Sequence, residues 1–220
     1  MSFKPAASTD RRWESPNTID SSMKNTMRPE RVEDLLKKCG AYQEGHFELR
    51  SGRHSGGYVE KFRLLERPEI ASELCRAMAE AFRDAGIERV VGPALGGVII
   101  AYEVARVLGV PCAFAERVGE KLEFRRGFQF RSGERVLVVE DIVTTGGSAR
   151  EVVEAARAAG ADPIGAAVLV NRSGKPLDLG TPGIALLDLA IASYPPAECP
   201  LCQKGLPLYA PGSKGTHKAS

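Results

Sequence analysis

Long apolar runs are absent from this chain. No stretch approaches the roughly 18 apolar residues that a membrane-spanning helix needs, and the first residues contain no hydrophobic core typical of a signal peptide. These absences predict a protein that does not enter a membrane. The cytoplasm is therefore its expected location.

Net charge and cysteine are also scarce. Thirty basic residues nearly balance twenty-eight acidic residues, which leaves a formal net charge of +2, and the five cysteines are scattered. An odd number of scattered cysteines does not indicate a disulfide framework. The charge balance, with no long basic run, argues against nucleic acid as a partner and favours small anions.

The composition that is present indicates one globular unit. A chain of 220 residues that is 43% hydrophobic and 26% charged has the size of one α/β domain with a small appendage. Residues 1–28 are rich in polar residues and predict a disordered extension, which is either native or added upstream of the natural start. The main domain is expected at 29–195, and residues 196–220 form a tail.

Helical and strand patterns alternate regularly through the main domain. Apolar spacing and terminal glycines predict helices at 29–39, 68–85, 97–108 and 147–159, and strands at 88–91, 110–115, 136–140, 163–170 and 184–189. Strands separated by helices of this length indicate a mostly parallel sheet with helices on both faces. The fold class is therefore α/β.

The most informative segment spans residues 136–148. Four apolar residues lead into Glu140 and Asp141, and a threonine pair, a glycine pair and Ser148 follow after two further positions. A continuous apolar run is typical of a strand buried on both faces, so the acids fall at its carboxyl end, where open α/β sheets bind ligands. The glycines open a helix and leave N–H donors for a phosphate. The segment predicts a sugar-phosphate site, and the absence of Gly-Lys-Ser/Thr excludes a nucleotide P-loop.

This pattern resembles the signature with which type I phosphoribosyltransferases bind phosphoribosyl pyrophosphate (PRPP). The resemblance implies a Rossmann-like sheet with a small N-terminal β-hairpin hood. It assigns Glu140 and Asp141 to the ribose hydroxyls, and Asp141 is also expected to be catalytic. The loop expected to bind the 5′-phosphate consists of Ile142, Val143, Thr144, Thr145, Gly146, Gly147 and Ser148.

A second segment resembles the pyrophosphate-contacting loop of the same family. It consists of Ala94, Leu95, Gly96 and Gly97, between a predicted strand and a predicted helix. A glycine pair that opens a helix can present consecutive N–H donors to an anion, although such pairs are also common at structural turns. Many family members have an aromatic residue and a lysine where this chain has Leu95 and Gly96.

Residues 45–61 resemble the base-binding segment of the orotate-specific members of the family. Orotate is a planar ring with a carboxylate, so its site needs cations and an apolar surface. The resemblance implies orotate contacts from Arg50, Tyr58, Thr144 and Arg172, with Arg50 at a position where the family has lysine. The alternative is a β-hairpin whose basic residues are simply solvated.

The segment around Arg117 departs from the family pattern. Orotate enzymes have a flexible loop there that begins Arg-Lys-Glu and contains a His-Gly, whereas this chain has a shorter loop that keeps Arg117, offers Lys121 and lacks histidine. Residues 122–130 alternate like a hairpin strand, so Arg125 and Arg126 either replace the missing cations or flank that strand. The resemblance implies a homodimer in which Arg117 and Lys121 are catalytic and bind PRPP across the interface.

Metal chemistry is expected only through the substrate. Pyrophosphate and ribose hydroxyls are hard oxygen ligands, so Mg²⁺ should travel with PRPP, and no permanent metal site is predicted. His46, His54 and His217 lack ligand spacing. Cys199 and Cys202 form a Cys-x-x-Cys pair, which supplies only two of the four ligands of a zinc site. We interpret the pair as reduced and packed, and zinc completed by a symmetry mate or His217 is the alternative.

Three functions are compatible with these residues. The first is transfer of the phosphoribosyl group from PRPP to orotate in pyrimidine biosynthesis, and the second is the same transfer to a purine base. The third is a PRPP-sensing regulator without turnover, which the cation-poor loops make reasonable. Orotate is the expected substrate because residues 45–61 match the orotate-specific pattern.

Overall fold

The computed structural model describes residues 27–49 and 51–211 of the chain. The expected extension at 1–28 falls almost entirely outside these ranges, as do Arg50 and His217. The helices are α1 (Pro29–Lys38), α2 (Lys61–Leu65), α3 (Pro68–Glu80), α4 (Gly96–Leu108), α5 (Gly147–Ala158) and α6 (Pro200–Gln203). The strands are β1 (Tyr42–Glu48), β2 (His54–Val59), β3 (Arg89–Pro93), β4 (Cys112–Val118), β5 (Lys121–Phe124), β6 (Arg135–Val143), β7 (Asp162–Asn171), β8 (Gly183–Asp188) and β9 (Ser193–Tyr194).

The main sheet confirms the predicted α/β class. Its six described strands lie in the order β5-β4-β3-β6-β7-β8, and all neighbours are parallel except β5, which pairs antiparallel with β4. The carboxyl ends of β3, β6 and β7 therefore meet at one edge of the sheet. This edge brings together the three segments that the sequence marked for ligand binding.

Strand β6 lies in the middle of the sheet and has apolar cores on both faces. Val136 and Val138 pack toward α5, whereas Leu137 and Val139 pack in a cluster with α1, α3 and α4. All four are fully buried, which explains why the sequence is apolar at every position instead of alternating. Because side chains alternate along a strand, the two acids that follow point to opposite faces.

A second, smaller sheet forms the hood. Strands β1 and β2 make the expected hairpin, and β9 adds a third strand by pairing antiparallel with β2. Beyond β9 the chain folds back on β1, where the Tyr209 N–H donates to the His46 carbonyl at 2.8 Å and the Glu48 N–H donates to the Tyr209 carbonyl at 2.8 Å. The hood therefore joins segments from near both ends of the described chain.

Two predicted elements are shorter than expected. Helix α3 ends at Glu80 instead of residue 85, because the following turns use tighter bonds such as the Phe82 N–H to the Ala79 carbonyl. Strand β5 ends at Phe124 instead of residue 130. Arg126 and Gly127 have φ values of 60° and 78°, which an extended strand cannot contain.

The helices of the described residues are too short or too polar to span a membrane. None has the length and apolar character needed to cross a bilayer. This finding agrees with the absence of long apolar runs in the sequence.

Candidate active site

Glu140 and Asp141 lie at the carboxyl end of β6, where the sequence places them. Both are buried, with 6% and 2% of their surfaces exposed. The Asp141 N–H donates to Glu140 Oε1 at 3.1 Å, and the Ile142 N–H donates to Asp141 Oδ1 at 2.6 Å. Burial, and secondarily the neighbouring Asp141 carboxylate, raises the pKa of Glu140 from 4.5 to about 8. A ligand that offers hydroxyl groups would meet two adjacent buried carboxyl groups here, and burial favours a proton on Glu140.

Lys61 is a site residue that the sequence analysis did not identify. Its Nζ lies 2.9 Å from Asp141 Oδ2, as an ion pair whose angles are not those of a hydrogen bond. Lys61 begins α2 directly after the hood strand β2, and Glu60 caps that helix by accepting from the Phe62 N–H. The hood is therefore joined to the ligand-binding edge of the main sheet by a charge contact. The sequence signal was a lysine at the end of the 45–61 segment, which is not specific by itself.

The predicted pyrophosphate loop meets the same carboxylate. Strand β3 ends at Pro93, the Ala94–Leu95 peptide bond is cis, and α4 begins at Gly96. A Cβ atom added at Gly96 would overlap Asp141 Oδ2 and would lie 3.4 Å from Lys61 Nζ. Only glycine fits this position. Two motifs that are far apart in the sequence thus converge on Asp141.

The predicted phosphate loop forms a small cavity. The space is about 50 Å³ and is lined by Glu140, residues 142–148 and Ala149. Gly146 has φ 81°, and a Cβ there would approach Leu179 to 3.1 Å, so this turn also requires glycine. The loop ends at the N-terminus of the 12-residue helix α5, where free N–H groups and the helix dipole favour an anion.

The base side of the site contains Tyr58 and Arg172, while Arg50 lies outside the described residues. Tyr58 packs against Phe47 with ring centroids 5.7 Å apart, and its hydroxyl lies 3.4 Å from Glu60 Oε2. Arg172 follows β7 and is partly buried, and among the described residues its buried Nε has no hydrogen-bond partner. Burial lowers the pKa of Arg172, and Tyr58 and Tyr42 oppose that change. An unpartnered guanidinium donor is suited to an incoming carboxylate.

The segment around Arg117, where orotate enzymes have a flexible loop, is a tight β4–β5 hairpin. Arg117 Nη1 donates to Glu151 Oε2 at 2.6 Å and to the Glu120 carbonyl at 2.7 Å, which ties the hairpin to helix α5 of the same chain. Lys121 is exposed at the start of β5. Arg126 pairs with Glu116 at 2.8 Å and lies beside the hairpin. The structure thus places Arg117 and Lys121 on one hairpin and does not bring them to Asp141 of their own chain.

A larger cavity lies away from this site. It measures about 580 Å³ and lies beside β8 and the 174–177 loop. None of the predicted site residues lines it. The smaller, more polar cavity at the phosphate loop fits the chemistry better, because it is the one bounded by the paired acids and the helix N-terminus.

Comparison with known proteins gives the same result as the geometry. A family model for the phosphoribosyl transferase domain matches residues 63–181. The orotate phosphoribosyltransferase of Pelotomaculum thermopropionicum is 48% identical over 86% of this chain and 99% of its own length. The orotate phosphoribosyltransferase of Chlorobaculum parvum is 47% identical over 82% of this chain and 93% of its own length.

Solved structures show the same similarity. The crystal structure of orotate phosphoribosyltransferase from Aeropyrum pernix superposes with a TM-score of 0.62 at 30% identity, covering 72% of this chain and 93% of that one. The resemblance drawn from the sequence motifs and the predicted fold are both confirmed. The chain therefore belongs to the type I phosphoribosyltransferase family, within its orotate phosphoribosyltransferase branch.

Proposed function

We propose that this protein transfers the 5-phosphoribosyl group of PRPP to orotate in the cytoplasm, giving orotidine 5′-monophosphate and pyrophosphate. The bond between C1 of ribose and the pyrophosphate oxygen breaks, and its electron pair leaves with pyrophosphate. A ring nitrogen of orotate forms the new bond to C1 and loses its proton to solvent. Curated relatives that are 44–48% identical to this chain carry the name of this activity.

The convergence on Asp141 is the observation that carries the proposal. The ribose-binding acids, the pyrophosphate loop and the Lys61 cation all meet at one carboxylate. PRPP needs such a site, because its pyrophosphate and its ribose hydroxyls are attached to the same sugar. A transition state with positive charge on the sugar and negative charge on the leaving group is stabilised by groups fixed in this arrangement.

Lys61 also supplies a cation near the pyrophosphate loop, which has few cations of its own. The pyrophosphate loop lacks the lysine that many family members carry, but Lys61 Nζ lies 3.4 Å from the point where a Cβ of Gly96 would stand. Lys61 therefore places a positive charge beside the loop that lacks the family's lysine. This arrangement favours an active transferase over a regulator that binds PRPP without turnover.

The base would lie between the hood and the end of β7. Arg172 has a buried donor without a partner among the described residues, and Tyr58 offers an aromatic surface. A planar anion satisfies both, whereas a neutral purine would leave the Arg172 donor unpaired. Orotate therefore fits better than a purine.

Mg²⁺ is proposed as a cofactor carried by PRPP. The paired carboxylates at 140 and 141 are hard oxygen donors that suit Mg²⁺, and the described residues around them offer no soft ligand in the pocket lining. When bound, Mg²⁺ would neutralise charge on the departing pyrophosphate. The protein contributes position and fixed charge through Asp141 and Lys61.

The working unit is proposed to be a homodimer with shared active sites. Arg117 and Lys121 lie on a hairpin at the sheet edge and do not reach Asp141 of their own chain. Large apolar side chains near the pyrophosphate loop are exposed, at 75% for Leu95, 45% for Ile99 and 65% for Tyr102. A second copy that covered this patch would bury apolar surface and could bring its hairpin to the site.

A panel of bases tests the proposed reaction. The protein is incubated with PRPP, Mg²⁺ and either orotate, uracil, adenine, guanine, hypoxanthine or xanthine, and pyrophosphate release and base absorbance are followed. We expect turnover with orotate alone, and turnover at least tenfold lower with Asp141→Asn as the matched control. Turnover with a purine would support the second function, and PRPP binding without any turnover would support the regulator.

Hybrid dimers test the shared site. Arg117→Ala subunits are mixed with Asp141→Asn subunits, and subunit exchange is verified by mass. If the hairpin acts across the interface, each hybrid regains one intact site and about half of wild-type activity. Hybrids that remain as inactive as both parents would show that each site is built from one chain.

A further inference from the structure

Four side chains of the hood and the tail form a cluster that the transferase reaction does not use. They are His46 of β1, His54 of β2, and Cys199 and Cys202 of the tail, and one ligand atom from each lies within 4.8 Å of the others. His46, His54 and Cys199 are buried and Cys202 is exposed. Histidine and cysteine in this combination are the usual ligands of a structural zinc ion.

The distances within the cluster match a tetrahedral metal site. His46 Nε2 lies 3.1 Å from His54 Nδ1, 3.4 Å from Cys199 Sγ and 3.6 Å from Cys202 Sγ, and His54 Nδ1 lies 3.2 Å from Cys202 Sγ. Ligands at zinc bond lengths and tetrahedral angles would be about 3.3–3.8 Å apart. These four separations lie within or slightly below this range, and the other two are at most 4.8 Å, so small shifts would admit the ion.

His46 has the hydrogen bond that a metal-binding histidine needs on its other nitrogen. Its Nδ1 lies 2.9 Å from the Leu206 carbonyl oxygen. A carbonyl can only accept, so Nδ1 carries the proton and Nε2 presents a lone pair to the cluster. Such a backbone carbonyl fixes the tautomer and the ring orientation of a histidine ligand.

Hydrogen bonds can satisfy the four groups only in pairs. The single lone pair of His46 Nε2 faces His54 Nδ1 and both cysteine sulfurs, which are three potential donors for one acceptor. At most one of them can donate well to this nitrogen. If Cys199 does so, His54 Nδ1 and Cys202 Sγ can still pair with each other at 3.2 Å. A cation bound by all four groups satisfies every member at once.

We propose that His46, His54, Cys199 and Cys202 bind one structural Zn²⁺ ion per chain. A tetrahedral set of two nitrogens and two sulfurs suits zinc, whereas Mg²⁺ requires oxygen ligands. The sequence showed only the Cys-x-x-Cys half of the site. The two histidines are separated from it by about 150 residues, as the pair His46 and Cys199 shows. This proposal therefore differs from the expectation of no permanent metal site.

The ion would hold the tail to the hood. Cys199 and Cys202 flank the start of α6, and the chain then continues to Leu206 and Tyr209, which bond to His46 and Glu48. Short elements of this kind bury little apolar surface, so they gain little stability from packing. A metal ion that crosslinks them commonly provides stability instead. The site would therefore stabilise the hood sheet through its outer edge and leave the reaction chemistry to the main sheet.

Metal analysis of the untagged full-length protein tests the proposal. After purification without chelator, elemental analysis should find about one zinc per chain. Cys199→Ser and His54→Asn should each lose at least nine-tenths of it, whereas Cys39→Ser should retain it. Cys39 is a suitable control because it is outside the cluster and its thiol donates to the Leu36 carbonyl near the end of α1.

Cobalt substitution of the wild-type protein keeps the test independent of variant folding. Co²⁺ in a tetrahedral site with two thiolates gives intense visible bands and a thiolate charge-transfer band, and Zn²⁺ should displace it and remove both. Less than about one-tenth equivalent of zinc after dialysis against Zn²⁺, together with no cobalt bands, would overturn the proposal. Stoichiometric iron, or a Cys199–Cys202 disulfide found by intact mass, would overturn it as well.

Hydrogen exchange tests the holding role. The Tyr209 and Glu48 amides, which bond between tail and β1, should exchange at least tenfold faster after zinc is removed with a chelator. The amides of β6 report on the main sheet and should keep their protection. If the tail amides exchanged at the same rate with and without zinc, the claim that zinc holds the tail to the hood would be contradicted.

Discussion

Replacement of Lys61 by alanine tests whether the hood supplies charge to the reaction. Lys61 Nζ lies 2.9 Å from Asp141 Oδ2, and 36% of the lysine side chain but only 3% of the aspartate side chain is exposed. Without the lysine, the Asp141 carboxylate would be buried without its counter-charge and would repel the pyrophosphate of PRPP. The loss should therefore appear in PRPP binding and in turnover more than in folding.

The expected size follows from the geometry. Two unit charges at this separation interact by about 6 kcal/mol at an effective dielectric constant of 20, which is an upper bound. Solvent reaches a third of the lysine, so screening reduces the contribution to about 1–3 kcal/mol. Since about 1.4 kcal/mol corresponds to a tenfold change, kcat/KM for PRPP should fall about 10- to 100-fold.

The assay follows orotate consumption at varied PRPP concentration. Arg63→Ala is the matched control, because Arg63 lies on the same short helix but pairs with Glu66 at the surface, at 3.3 Å. Lys61→Arg should recover part of the activity, because it keeps the charge. If Lys61→Ala retained kcat/KM within twofold of the wild type, the reasoning that the hood supplies a cation to the site would be refuted.

Further substitutions examine the remaining parts of the site. The pKa of Glu140 is 4.5 in an unfolded chain and about 8 in the folded protein. Between these pH values the folded protein holds a proton that the unfolded chain has released, so the free energy of unfolding should fall as pH rises through this window. Glu140→Gln should remove that fall in denaturant titrations. Asp141→Asn should lower turnover at least tenfold and leave the melting temperature nearly unchanged, and a large loss of stability would contradict its placement as a ligand. Gly96→Ala should weaken PRPP binding at least tenfold, measured by calorimetry, because the methyl group must displace Asp141. Arg172→Ala should raise KM for orotate much more than KM for PRPP, and equal increases would indicate general damage.

The main sheet was predictable because its signals are local. The apolar run before Glu140 is long enough to identify a buried strand, and Gly109 ends α4 in the left-handed conformation that the sequence suggested. The positions of the paired acids and the glycine loops followed from the rule that parallel strands end at one edge. These features depend on residues that are close in the sequence.

The contacts that escaped prediction join distant segments. Lys61 meets Asp141 across 80 residues of sequence, and His46 meets the Cys-x-x-Cys pair across a still greater separation. Neither lysine after a strand nor an isolated histidine is informative until the topology is known. The end of β5 was missed for a different reason, because Arg126 adopts a positive φ that its residue type does not suggest.

The return of the tail to β1 has a consequence for synthesis on the ribosome. The His46 ring bonds to the Leu206 carbonyl 160 residues later, so the hood cannot be completed until Leu206 has emerged from the ribosome. The main sheet, whose strands end at Asp188, can form before that moment. A nascent chain would thus gain its phosphate loop early and its finished base side last, and a truncated translation product would be unable to complete the hood.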